Sequence, residues 1–291
     1  MDEKTTKRKR MAVTDNQGRI IKAPNITTIL IDKLVPFRNH PFQTYEGERL
    51  EKLAESIRNN GLHDPVVVRC IETAIYEILS GHNRIEAVKL LGWNRIPAIV
   101  KDGLSDEAAE RIVIESNLNQ QSFANWKYSQ QIRVIKMYSK HIRENSQQGK
   151  RNDLIDGAAS AYSKQKYAGK PKPRPTSRDK YSQYLGINSA KFSKYSRVAN
   201  LDEETAKILC ELLDEKRMGF EAAYRLSQLK PGERATVISL LKEDPEIRLK
   251  KEAADSIYRS SRNAKNAILT EEAIRIALYA DYTIVVSQSS A

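Results

Sequence analysis

The chain has 291 residues, 49 Lys/Arg against 37 Asp/Glu and a net charge of +12. That length exceeds a usual single domain, and the charge calls for a polyanionic partner, either nucleic acid or an anionic membrane surface. No apolar run approaches the roughly 20 residues of a membrane span, and Lys7-Arg8-Lys9-Arg10 is not followed by an apolar signal core, so a spanning helix is excluded and the cytoplasm is the expected compartment. Cys70 and Cys210 are too few for a disulfide framework and too far apart for a zinc knuckle, and both read as inert packing residues.

The charge is not evenly spread. Between Lys127 and Val198 there are 17 Lys/Arg against Glu144, Asp153, Asp156 and Asp179, a local excess of 13 that accounts for the whole balance of the chain. Residues 1–24 are polar, basic and without periodicity, as in a disordered arm. From 25 to 125 short apolar runs alternate with helical patterns. Ile26 to Ile31, Val66 to Arg69, Tyr76 to Leu79 and Ile96 to Val100 predict strands. The spacing of Leu50, Leu53, Ala54 and Ile57 predicts a helix stopped by Gly61, and Arg84 to Leu91 repeats the design, with Ile85, Val88 and Leu91 inward and Gly92 as terminator. Ser105 should cap a third helix, with Ala108, Ile112 and Val113 inward. These elements predict a small α/β domain holding a mixed sheet.

After Trp126 the strand signals fade and helices are expected to about Asp281, opening on Ile132, Ile135, Met137 and Tyr138. The pattern divides into 126–230 and a further helical region, 231–291. The polar run Ser146 to Ala158 interrupts it, as does Gly169-Lys170-Pro171-Lys172-Pro173-Arg174-Pro175, whose alternating prolines forbid a helix and favour an extended linker. The apolar run Tyr282 to Val286 has no assignable role.

Within this region, residues 176–199 carry a helix-turn-helix pattern. Such a motif needs a small residue where its helices cross, a turn glycine, and apolar residues at fixed offsets. Ser182 and Gly186 meet the first two needs, and Tyr181, Leu185, Ile187, Phe192 and Tyr195 the third; Asn188 or Ser189 caps the second helix. Its exposed sides would carry Ser189, Lys191, Ser193, Lys194 and Arg197, the candidate DNA contacts, with the N-terminal residues nearest the base edges.

The other candidate site lies where a predicted strand runs into a helix, at Ile78-Leu79-Ser80-Gly81-His82-Asn83-Arg84. A helix start leaves backbone N–H groups unpaired, its dipole favours negative charge, Gly81 lets the backbone approach an anion, and Arg84 can fork onto phosphate oxygens. His82 could donate a proton, touch phosphate or sit as a polar surface residue. No other His or Cys lies near it in sequence, so no metal site is expected. Trp93 and Trp126 are expected to be buried against helix ends.

In the order and spacing of its boxes the chain resembles the ParB/RepB partition family over roughly residues 26–230. His40-Pro41-Phe42, Leu53-Ala54-Glu55-Ser56-Ile57, Gly61 to Arg69, Tyr76 to Arg84, Gly92 with Ile96 to Val100, and Asn117 to Phe123 follow one another as in that family, before the helix-turn-helix. The resemblance implies a ParB-like N-terminal domain, a helix-turn-helix that binds a centromere-like duplex, a homodimer, a partner ATPase of ParA type, and location on a nucleoid or plasmid. It also implies CTP with magnesium at Gly81, His82, Asn83, Arg84 and Asn117. The family's G-E-R-R box is here Gly81-His82-Asn83-Arg84, and Ser116 and Gln120 stand where its E-N-x-x-R segment has Glu and Arg, so a nucleotide site loses charge that would hold metal and phosphate. A transcription regulator of a mobile element would use the same fold. An enzyme reading draws on related folds, a sulfinic-acid reductase and a free-serine kinase; the first needs a Cys in the glycine loop, and the second a carboxylate for which Glu48, Asp64 and Glu115 are available. No residue is assigned as catalytic.

Overall fold

The computed structural model describes residues 13–14, 20–21, 26–38, 40–148, 176–264 and 267–280. The proline-cation linker, most of the polar run before it, most of the basic arm, and the apolar run Tyr282 to Val286 lie outside the described residues. The chain divides into two units, 1–116 and 117–291.

In the first unit, Val13–Thr14 (β1) and Ile20–Ile21 (β2) pair antiparallel inside the segment read as an arm. A five-stranded mixed sheet follows, built from Ile26–Leu30 (β3), Leu34–Val35 (β4), Val66–Glu72 (β5), Ile75–Ser80 (β6) and Arg95–Lys101 (β7) in the order β3-β7-β5-β6-β4. The pairs β3/β7 and β5/β6 are antiparallel, β5/β7 and β4/β6 parallel. Strand β4 is two residues long, too short to show a pattern in sequence. The alternation of a half-buried strand places Val66 and Val68 of β5 and Ile96 and Ala98 of β7 in one core with Ala54 and Ile57 of α1 (Gly47–Asn60) and Ile85, Ala87 and Val88 of α2 (His82–Leu90). Both helices end where a glycine takes up positive φ, Gly61 at 78° and Gly92 at 73°.

Helix α3 (Asp106–Leu118) starts on Ser105, whose Oγ accepts the Ala108 N–H at 3.2 Å, as its sequence predicts. Its buried residues are Ala109, Val113 and Ile114; the expected face through Ala108 and Ile112 is off by about one residue, an error that a run of mixed Ala, Ile and Val invites. On the interior strands β5 and β6, buried Glu77 accepts from Arg69 Nε at 2.6 Å and from the Arg38 N–H at 3.1 Å, while Arg69 Nη1 reaches Asp106 at 2.8 Å. This network ties the 36–42 loop and the start of α3 to β5 and β6. Cys70 is exposed on β5, not packed; Cys210 is part-buried, and burial pushes its thiol up to about 11.

The described part of the second unit is helical: α4 (Tyr128–Gln148), α5 (Ser177–Tyr184), α6 (Ser189–Ala199), α7 (Glu203–Asp214), α8 (Phe220–Leu226), α9 (Pro231–Glu243), α10 (Lys251–Asn263) and α11 (Glu271–Tyr279). Ile132, Ile135 and Tyr138 of α4, Phe192, Tyr195 and Val198 of α6, Leu209 and Leu213 of α7 and Leu226 of α8 are buried. Trp126 is buried as expected, whereas Trp93 in the first unit is 38 % exposed. Toward the C-terminus, fully buried Glu233 accepts from Ser261 Oγ at 2.6 Å and from the Leu269 and Lys230 N–H groups at 3.1 and 3.3 Å, so a single carboxylate joins α9, α10 and the approach to α11. Arg217 Nη2 donates to the carbonyls of Leu241, Asp244 and Ile247, closing the C-terminal end of α9. An α/β domain with a small mixed sheet followed by an all-α region is the architecture found.

Candidate functional site

Strand β6 delivers the chain into Gly81, which takes φ 100° and ψ 20° and is the N-cap of α2. A Cβ at this position would lie 2.7 Å from Val66 Cγ1 and 3.1 and 3.2 Å from Nη2 and Nε of Arg84, so both the backbone angle and the space require glycine. The Arg84 guanidinium lies against this glycine, and its Nη1 donates to the carbonyl oxygens of Asp64 and Pro65 at 2.5 and 3.2 Å. Burial lowers its pKa from the ordinary value. Asn83 is likewise engaged: its Oδ1 accepts the Tyr45 N–H at 2.9 Å, fastening the turn before α1.

His82 occupies the first position of α2, with its Nε2 buried and, among the described residues, without a hydrogen-bond partner. Its ring lies 3.9 Å, centroid to centroid, from that of His40, tilted by 44°. Burial, and then the charge of His40, push the His82 imidazole down to about 3, and burial lowers His40 as well. His40 Nδ1 is 2.7 Å from the Phe42 carbonyl oxygen and donates to it as the neutral ring's N–H. Two neutral, mutually packed imidazoles therefore stand at the glycine loop. The two are 42 positions apart in sequence, and only the fold brings them together. The Asn117 carbonyl accepts the N–H groups of Gln120 and Gln121, which ends α3, and the Ser116 hydroxyl donates to the Val113 carbonyl at 2.9 Å.

In the second unit, α5 and α6 are joined by a turn through Gly186, φ 68°. Thr176 and Asp179 make a capping box at the start of α5, and the Asn188 side chain caps α6 by accepting the Lys191 N–H at 2.7 Å. Ser182, 3 % exposed, is the small residue at the crossing: its Oγ donates to the Asp179 carbonyl and lies 3.2 Å from Ser189 Oγ. Ser189 Oγ donates to Asp179 Oδ1 at 2.5 Å, and this bond with those from Thr176 holds the Asp179 carboxyl down at about 2. The pair is seated on α4 and α8 by aromatic rings. Tyr181 stacks on Tyr138 at 4.3 Å and Tyr195 on Phe220 at 3.8 Å, while the Tyr195 hydroxyl donates to Gln131 Oε1 at 2.6 Å.

Of the residues expected on the outer side of α6, Lys191 and Arg197 are exposed. The Ser189 and Ser193 hydroxyls are used within the fold, the first on Asp179 and the second on the Ser189 carbonyl at 2.8 Å. Lys194 is half-exposed but paired: its Nζ meets both carboxylate oxygens of Glu221, at 2.7 and 2.8 Å. Glu221 has no sequence-local signal, since it lies 27 residues downstream in the first turn of α8.

Residues 15–118 match the family model of the ParB N-terminal domain. A nucleoid occlusion protein of Halalkalibacterium halodurans is 40 % identical over 102 residues, covering 35 % of this chain and 36 % of that protein. One from Geobacillus sp. (strain WCH70) is 36 % identical over 96 residues, covering 33 % and 34 %. The chain thus matches about a third of the length of these curated relatives. Among solved structures, the C-terminally truncated chromosome-partitioning protein ParB from Caulobacter crescentus, complexed to the centromeric parS site, aligns over 82 % of this chain and 100 % of its own, with 16 % identity and a TM-score of 0.42. What the comparisons show is thus a ParB N-terminal domain over residues 15–118 of the chain.

Proposed function

We propose that the protein is a sequence-specific duplex-DNA-binding protein of ParB type that marks a centromere-like site on a nucleoid or plasmid, as a homodimer served by a ParA-type ATPase. The observation that carries this reading is the capped pair α5–α6, with its buried Ser182 and positive-φ Gly186, set in the 127–198 stretch that holds the chain's excess positive charge. Lys191 and Arg197 lie exposed on the second helix, and Lys191 is in its first turn, where base edges are reached. At the glycine loop the same reading allows at most a weak nucleotide site. Gly81 offers backbone to a phosphate, but the Arg84 and Asn83 side chains are already bound within the protein.

Each cation that neutralises a phosphate contributes about 0.9 to the slope of log affinity against log salt. Replacing both Lys191 and Arg197 by Ala is therefore expected to flatten that slope by about 2 and to weaken duplex binding on the order of tenfold or more at moderate salt. Fluorescence anisotropy with a labelled duplex across a salt series measures both. An unchanged slope and affinity would remove α6 as the binding helix.

A further inference from the structure

The outer side of α6 carries a carboxylate among its cations. Lys194 Nζ sits 2.7 and 2.8 Å from the two oxygens of Glu221 and 5.2 Å from the centroid of the Tyr224 ring, and both residues of the pair are open to solvent, their side chains 37 % and 45 % exposed. The position of Glu221 is fixed. Its neighbour Phe220 stacks on Tyr195 of α6 at 3.8 Å and is parallel to Tyr128 at 6.0 Å, so the first turn of α8 is locked beside the second turn of α6. Such a pair adds little to stability, because exposed ion pairs contribute about 0–1 kcal/mol. It does change what α6 shows to a polyanion. Among the described residues no carboxylate is paired with Arg197 or with Lys191, whose Nζ lies 5.9 Å from the Tyr195 ring centroid, whereas Lys194 between them offers a charge already neutralised, and any phosphate taking Lys194 must displace or approach a carboxylate.

From this geometry we infer that Glu221 is a specificity-determining residue: it withholds Lys194 from random duplex and releases it only where the base sequence supplies contacts that offset the broken pair. The inference rests on the DNA-binding reading of α5–α6. Attraction to phosphate is indifferent to sequence, so a cation free to meet phosphate raises cognate and random affinity together, while a cation held in reserve raises only the first. A carboxylate near the backbone also penalises misplaced binding by like-charge repulsion.

The test uses the full chain, a duplex enriched by selection from random DNA, and a shuffled duplex of the same composition. Glu221→Gln keeps the size of the side chain and the stack of Phe220. It is expected to tighten binding to the shuffled duplex about three- to tenfold, steepening its salt slope by about 0.9. The enriched duplex should gain by a smaller factor, so the ratio of affinities falls. Lys194→Gln should weaken the enriched duplex by about tenfold and the shuffled one by less than about twofold, and the double variant should show effects that do not add. Equal changes for both duplexes in Glu221→Gln, or a Lys194→Gln loss that is the same on both, would overturn the inference while leaving the DNA-binding reading in place. A wild-type chain that enriches no duplex and binds none with salt dependence would overturn that reading and the inference with it.

Discussion

Replacing Gly81 by Ala is expected to destabilise the N-terminal unit by about 2–4 kcal/mol. Two costs combine. A left-handed backbone costs an L-residue roughly 1–2 kcal/mol, and φ at this position is 100°. The new Cβ would also stand 2.7 Å from Val66 Cγ1, on a strand whose Val66 side is fully buried, so either β5 or the start of α2 must shift, at roughly 1–3 kcal/mol for an overpacked core. Arg84 would be pushed from the same spot and with it the bonds to the Asp64 and Pro65 carbonyls. Denaturant unfolding followed by circular dichroism reads the change; a loss below about 0.5 kcal/mol would mean that the loop does not need its glycine.

Acid should also weaken the N-terminal unit. His82 is pushed down from 6.5 to about 3 by burial and by His40, so the folded chain holds it neutral where the unfolded chain takes up a proton. Its contribution is complete above the unfolded pKa, near 6.5, and is lost progressively as pH falls from there toward 3. At pH 5 the loss from this residue is about 2 kcal/mol, since one pKa unit corresponds to about 1.36 kcal/mol. His40, lowered in the same direction by burial and packed on His82, adds to the same acid limb. Unfolding at pH 7.5 and pH 5.0 should therefore show a loss in the wild type that is reduced by about this amount in His82→Gln. An identical pH dependence in the two proteins would contradict the neutral, buried state of the ring.

What could be read from residues alone depended on how local its cause is. The four longer strands of the sheet, the glycine stops of α1 and α2 and the Ser105 cap each rest on a pattern within ten or so residues, and the α5–α6 pair on one within 176–199; each is found close to its expected place. Strand β4, two residues long, has no period to detect, and the inward face of α3 is shifted because apolar residues at 108, 109, 112, 113 and 114 suit two neighbouring stripes. The side-chain details of both sites were less legible. Arg84 and Asn83 look free in sequence, yet the turns at Asp64 and Tyr45 that occupy them are 20 and 38 residues away. Lys194 looks like an open cation until Glu221 is placed against it from another helix. His82 and His40 form a pair only through the tertiary course of the 36–42 loop. Types of element follow from sequence period, whereas the partners of a polar side chain follow from the fold.

Recognition of a particular duplex sequence is the role proposed for α5 and α6. Selection of bound fragments from random duplex DNA by the full chain, repeated with the Lys191→Ala, Arg197→Ala double variant, tests it most directly. Convergence on one enriched sequence is expected for the wild type, and loss of that enrichment for the variant. Failure of the wild type to enrich any sequence, or the same enriched sequence emerging equally from both proteins, would contradict it.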